Sequence, residues 1–427
     1  MSTLPRYTKL PPFNPHRKDF TCVYQDLYLP PIDPQAELLF QQALTLDDPD
    51  AYAENKDWDS IFQLYQRAAE LGHWKAMLNL ASLRLKVDSN PETAISLVEK
   101  AMLLGVPDAW DMMGIYHMRQ IVKGGNADSA YAFFQRAAEM GSPRALVFLG
   151  EALDAGWDNL REGFWANEPI AQKMLQCAIA QGDGDAASQL SFDYSDEGSG
   201  PPEDKRRAIE LLHEAMKLGS DRAASELFVQ FDGMYLTVGE NLVDYADKAR
   251  SERYSKLCHA LEFYKILKLP NLDKVLPLPP APLPKWNGDK HMLLNAAKPV
   301  ALPVITPVLE PRNVTSILPN SAPTPIPQSS NKQYARIRQL TTLPPRLVAC
   351  NGSQTCPETG IWEGRVAEEH PLAKVYNKWD RQAYVEKGNP FPDPRAQFLD
   401  IAMRDVRWTW FGNANTEIAP GVHEITL

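Results

Sequence analysis

Between Asp59 and Phe231 one arrangement of small and large apolar positions recurs five times. An alanine is followed four residues on by a glycine, and four further on by a second alanine. The copies are Ala68/Gly72/Ala76, Ala101/Gly105/Ala109, Ala137/Gly141/Ala145, Ala178/Gly182/Ala186 and Ala215/Gly219/Ala223. A large apolar residue stands seven places before each glycine (Tyr65, Val98, Phe134, Leu175, Leu212) and another eight places after it (Leu80, Met113, Leu149, Leu190, Leu227). Successive glycines are 33, 36, 41 and 37 residues apart, the period of stacked helical pairs. The glycine ends the first helix of a pair in the left-handed conformation that costs other residues more. The alanines let the two helices approach closely, and the large residues fill the layer between pairs. The pattern predicts a mainly α protein, with an α-solenoid of helix–turn–helix repeats over residues 59–240.

The flanking segments read differently. Residues 1–58 form an arm and a capping helix. Met1 to His16 is expected to be flexible, and Phe20 to Tyr28 short and extended. Pro34 opens a helix whose apolar positions Leu38, Leu39, Ala43 and Leu46 cover the end of the first repeat. Between the third and fourth repeats an insertion, Gly156 to Ala166, brings Trp157, Phe164 and Trp165, aromatics read as docked on the scaffold. Over residues 241–288 the expectation is an amphipathic helix, Asn241 to Leu269, with Tyr254, Leu257, Cys258, Leu261 and Tyr264 on one stripe. A Pro-rich strap follows, anchored on the solenoid by Trp286. The same prolines also suit a ligand for a proline-binding module. Residues 289–332, rich in Pro, Ser, Asn and Thr, read as a linker. Residues 333–427 read as a small β-rich domain, with strand character at Arg346–Ala349, Gly360–Val366 and Val406–Phe411.

Composition narrows the function. The net charge of −10 argues against nucleic acid as a partner, because a phosphate backbone calls for a basic surface. An acidic surface suits a basic protein partner, or simply solubility. No apolar run is long enough to span a membrane, and no hydrophobic signal region opens the chain. The sequence as given therefore reads as cytoplasmic, or as periplasmic if an export signal has been trimmed. Five cysteines without framework spacing argue against a fold built on disulfides. Cys350 and Cys356 are open to three readings: free thiols, a disulfide, or half of a metal site that no second pair completes. There is no phosphate-binding glycine loop, nucleophile elbow or zinc-binding helix. The expected catalytic, metal and cofactor sets are empty. His73 and His117 read as surface histidines near helix ends.

The spellings Leu64-Tyr65-Gln66-Arg67-Ala68-Ala69-Glu70-Leu71-Gly72 and Phe133-Phe134-Gln135-Arg136-Ala137-Ala138-Glu139-Met140-Gly141 resemble the SEL-like repeat, a tetratricopeptide-like unit. That resemblance implies protein binding and no chemistry. Phe20-Thr21-Cys22 before the repeats and Leu278 to Gly288 after them resemble a bacterial family of SEL-repeat proteins found beside type VI secretion effectors. Several of these are similar to immunity proteins for phospholipase effectors. Cys356-Pro357-Glu358-Thr359-Gly360-Ile361-Trp362 resembles an element of C-terminal domains in polymorphic-toxin immunity proteins. The resemblance implies a protein that neutralises a cognate secreted toxin by occlusion, with periplasmic residence in its relatives. An adaptor that loads an effector onto the secretion machine is the alternative, and an enzyme housed in the β domain a third reading. Four aromatics that the repeat pattern does not require are candidate partner contacts: Trp74, Trp110, Trp408 and Trp410.

Overall fold

The computed structural model describes residues 10–48, 52–154, 165–195, 201–239, 241–264, 267–300, 348–378 and 380–412. The chain divides into two compact units, one comprising Met1–Ala246 with Arg395–Asp400 and the other Asp247–Pro394 with Ile401–Leu427.

The first unit is the α-solenoid that the repeat spacing predicts. A capping helix, α1 (Pro34–Leu46), starts on Asp33, whose carboxylate accepts from the Gln35 and Ala36 amides. It buries Ala36, Leu39, Phe40 and Ala43; Leu38 and Leu46, expected on that face, are 60% and 41% exposed. Five helical pairs follow: α2 (Trp58–Glu70) with α3 (Trp74–Lys86), α4 (Pro91–Leu103) with α5 (Pro107–Met118), α6 (Ala127–Glu139) with α7 (Pro143–Leu153), α8 (Glu168–Ala180) with α9 (Gly184–Phe192), and α10 (Pro202–Lys217) with α11 (Asp221–Asp232). All five repeat glycines have positive φ. Each sits in a Schellman cap, in which the residue after the glycine donates back to the repeat alanine. His73 N–H thus bonds the Ala68 carbonyl at 3.0 Å, and Ser142 N–H bonds that of Ala137 at 3.0 Å. The ten pattern alanines are fully buried, and the large pattern residues are buried between the pairs. The glycine caps and small contact residues therefore do what their spacing implies.

A further bond set joins successive second helices. Ser142 caps α7 and donates to Asp108 of α5 (2.7 Å); Ser220 caps α11 and donates to Asp185 of α9 (2.9 Å). His73 caps α3 through Nδ1, which accepts from Ala76 N–H, so its Nε2 proton faces Glu37 of α1 at 3.0 Å. His73 and His117 are both wholly buried rather than on the surface. Imidazole served here as a cap and as a packing ring, with His117 against Phe133 at 4.6 Å. Helix spacing alone does not reveal either role.

In the second unit the amphipathic helix is shorter than its pattern suggested. It is α12, Lys248–Phe263, because Asp247 caps it through the Arg250 amide. Tyr254, Leu257, Cys258 and Leu261 are buried as the stripe predicts. The Pro-rich strap lies on α12. Arg250 donates to the carbonyls of Pro277 (2.6 Å) and Ala281 (3.0 Å), and Arg253 to those of Val275 and Pro284. The Arg253 guanidinium also stands 5.4 Å over the Trp286 ring. Prolines leave these carbonyls without sheet partners, and buried guanidinium groups supply the donors. Lys290–Ala297, within the stretch read as linker, is helical (α13); residues 301–332 lie outside the described residues.

Four antiparallel strands form one sheet in the order β1–β4–β2–β3: β1 (Ala349–Asn351), β2 (Gly360–Arg365), β3 (Gln382–Val385) and β4 (Arg407–Gly412). Trp362, Phe391 and Trp408 make its core, with ring centroids 5.2 Å and 5.0 Å apart. The Gln382 amide exchanges two hydrogen bonds with Val300, at 2.7 and 2.8 Å. Cys350 and Cys356 are free thiols, and burial raises the pKa of both.

Candidate interaction surface

Of the stretch Met1 to His16, read as a flexible arm, residues 1–9 lie outside the described residues, and the chain from Phe13 onward is held against the third and fourth repeats. The Phe13 ring lies 5.1 Å from Tyr131 of α6 and 5.2 Å from Trp165. Asn14 N–H donates to Gln135 Oε1 (2.9 Å), and the Asn167 amide donates to the carbonyls of Pro15 (2.7 Å) and Arg17 (3.0 Å). Arg17 pairs with Glu139 at 3.4 Å. Further on, Gln25 N–H donates to Gln181 Oε1 at 2.9 Å. Three amide side chains thus read the backbone of an extended chain, and one carboxylate reads a cation. Gly141 packs directly under this strap: a Cβ there would meet the Val23 carbonyl and lie 2.9 Å from Gln25 N.

A disulfide, Cys22–Cys177, ties the strap to α8 across a separation of 155 residues. The cysteine spacing, which argued against a fold built on disulfides, did not single out this pair. Partners so far apart leave no spacing signal, and an odd count hides one pair among five cysteines. Trp165 of the insertion docks on Tyr131 at 4.6 Å; Trp157 and Phe164 lie outside the described residues.

Among the titratable groups, Asp111 of α5 is 3% exposed, and burial pushes its carboxyl up to about 6, against the pull of Arg144 at 3.6 Å. Burial likewise raises Asp108, which Ser142 stabilises by its hydrogen bond. Both carboxyls are engaged in contacts between helices. Among the described residues no three metal-ligating side chains gather in one place, and no helix is long and apolar enough to cross a membrane.

The four candidate tryptophans fall into two groups. Trp74 opens α3 and is 6% exposed; Trp408 is 3% exposed and stacks on Phe391. Trp110 and Trp410 are half-buried. Trp110 lies 6.0 Å from Phe133 and 5.8 Å from the Arg136 guanidinium. Trp410 lies opposite Trp362 across β4 and β2. Trp74 and Trp110 stand on different repeats, whereas Trp408 and Trp410 lie two residues apart on β4.

Comparison with known proteins places these features. The Sel1 repeat model matches residues 62–73, 74–106, 112–142, 143–183 and 184–220. The helical pairs of the first unit carry those repeats. Residues 223–303 match a domain of unknown function, DUF6396. Among solved structures it is similar to the immunity protein PA5088 of Pseudomonas aeruginosa, with 29% identity, 62% of this chain and 96% of that chain covered, and a TM-score of 0.50. It is also similar to the immunity protein Pa5087 of the same organism, at 28% identity over 62% and 96% of the two chains, with a TM-score of 0.49. A Sel1 repeat protein from Oxalobacter formigenes matches at 21% identity, over 53% and 90%, with a TM-score of 0.40. No curated protein matches significantly.

Proposed function

We propose that this protein is an immunity protein that binds a toxic effector and neutralises it by occlusion, without chemistry of its own. The observation that carries the reading is the likeness to PA5088, which extends over 96% of that immunity protein at 29% identity. A stack of helical pairs offers a large surface formed before binding, so little ordering entropy opposes association. The effector is proposed to be an antibacterial protein of a type VI secretion system, of the phospholipase or lipase class, as the sequence resemblance implies. Trp110 and Trp410, the half-buried members of the candidate set, are the proposed aromatic contacts; Trp74 and Trp408 offer a partner little area. The Cys22–Cys177 disulfide supports residence in an oxidising compartment, for which the periplasm is our assignment.

The test is protection. The effector encoded beside this protein is directed to the periplasm of a sensitive strain, with this protein exported alongside it or kept inside. Restored growth with the exported form is the expected result. Growth that stays arrested with both forms refutes the immunity reading, and changed effector export without protection favours an adaptor.

A further inference from the structure

The strap shows what one pair of neighbouring repeats can hold, and a similar holding set recurs elsewhere in the array with no strap on it among the described residues. On the third repeat the set is Tyr131, Gln135 and Glu139, respectively ten, six and two residues before Gly141, together with Asn167, which precedes the first helix of the next repeat. On the first repeat the same offsets from Gly72 give Phe62, Gln66 and Glu70, and the residue capping the first helix of the next repeat is Asn90. The set is particular to these two sites. The second repeat has Ile95, Glu99 and Leu103 at those offsets, the fourth Gln172, Gln176 and Ala180, and the fifth Ile209, His213 and Lys217.

At the third repeat every member is engaged by the strap. At the first, the Phe62 ring is half-buried beside Trp58, with the Arg84 guanidinium 4.5 Å over it, while Gln66 Nε2 donates only to Glu70, at 2.8 Å, and Glu70 is exposed. Asn90 spends its Oδ1 on the Thr93 amide, and its Nδ2 has no partner among the described residues. A Cβ at Gly141 would strike the strap, whereas one at Gly72 meets nothing within 4 Å. Beside Gly72, Leu71 is 46% exposed, and on the next repeat Leu103 is 71% exposed.

We propose that Phe62, Gln66, Glu70 and Asn90 form a second seat for an extended polypeptide segment carrying a basic residue, and that the effector supplies it. The assignment to the effector rests on the immunity reading; the seat itself does not. The strap defines the ligand chemistry. Its backbone amide meets the glutamine, its carbonyls meet the asparagine, and its arginine meets the glutamate. A chain with net charge −10 attracts such a basic segment as well.

The probe is a fluorescent peptide with the sequence of Leu10–Phe20, added to the intact oxidised protein, whose strap stays tethered by Cys22–Cys177. Anisotropy should show saturable binding. Glu70→Lys and Gln66→Ala should each weaken it about tenfold without moving the melting temperature, since neither side chain is buried. A peptide with Arg17→Glu should lose binding to the wild type and regain it with Glu70→Arg. Absence of saturable binding overturns the seat, and so does binding that ignores Glu70→Lys but is lost with Glu139→Lys. The same Glu70→Lys protein is then titrated with the effector. Weakened binding supports the assignment; unchanged affinity alongside lost peptide binding overturns the effector as the donor and leaves protection by another surface intact.

Discussion

At Gly141 two demands meet on one residue. Its φ of 90° belongs to the left-handed region, and the strap crosses directly over its Cα. Gly105 shares the first demand, with a φ of 82°, but nothing lies within 4 Å of its missing Cβ. Gly105→Ala should therefore cost only the left-handed penalty of about 1–2 kcal/mol. Gly141→Ala should cost more, because the strap must also lift; equal losses in denaturant melts would contradict the packing. Asp111 makes a second prediction at this scale. Its folded pKa of about 6 lies above the ordinary aspartate value, so the folded state holds the proton more tightly. Stability from this group is present at low pH and is lost as pH rises from about 4 to about 6. Relative to wild type, Asp111→Asn should be near neutral below that window and more stable by about 2–3 kcal/mol above it. Melting temperatures of both proteins between pH 4 and 7 check the sign, and a flat difference refutes it.

Each repeated element is a helix ended by a Schellman glycine and packed through alanines that leave no room for a larger group. Ala137→Trp should overpack the α6–α7 contact and destabilise by about 1–3 kcal/mol or more. A melting temperature equal to wild type would mean Ala137 is not between the helices. These elements were legible in the sequence because small-residue spacing and glycine caps are local signals. The α12 start was not, because Asp247 caps the helix so that it begins at Lys248, inside the amphipathic stretch read from Asn241. Strand β3, Gln382–Val385, carries only four residues and little alternation, so periodicity passed over it. The Pro-rich composition around Lys290–Ala297 masked a short helix capped by Asp289. Of the proposed interaction surface, Trp110 and Trp410 stood out as aromatics outside the repeat pattern. The strap seat did not, because Gln135, Asn167 and Gln181 grip backbone, and a sequence does not say which distant backbone a surface amide will meet.

At the scale of the molecule, a repeat array ordinarily transmits contacts only between neighbours. Here the strap and the Cys22–Cys177 bond add links between segments 155 residues apart. Opening that bond should cost about 2–5 kcal/mol. Reductant should lower the melting temperature of the wild type, leave a Cys22→Ser/Cys177→Ser protein unmoved, and admit protease to residues 10–28 first. No shift on reduction would contradict a structural role for the bond.

The central claim is neutralisation by occlusion, and its most direct test is a titration of effector activity against this protein. The account predicts inhibition that ends sharply at a fixed stoichiometric ratio. The effector should be recovered covalently intact and active after the complex is dissociated. Inhibition by substoichiometric amounts, or an effector chemically altered on recovery, would show catalysis and contradict the account.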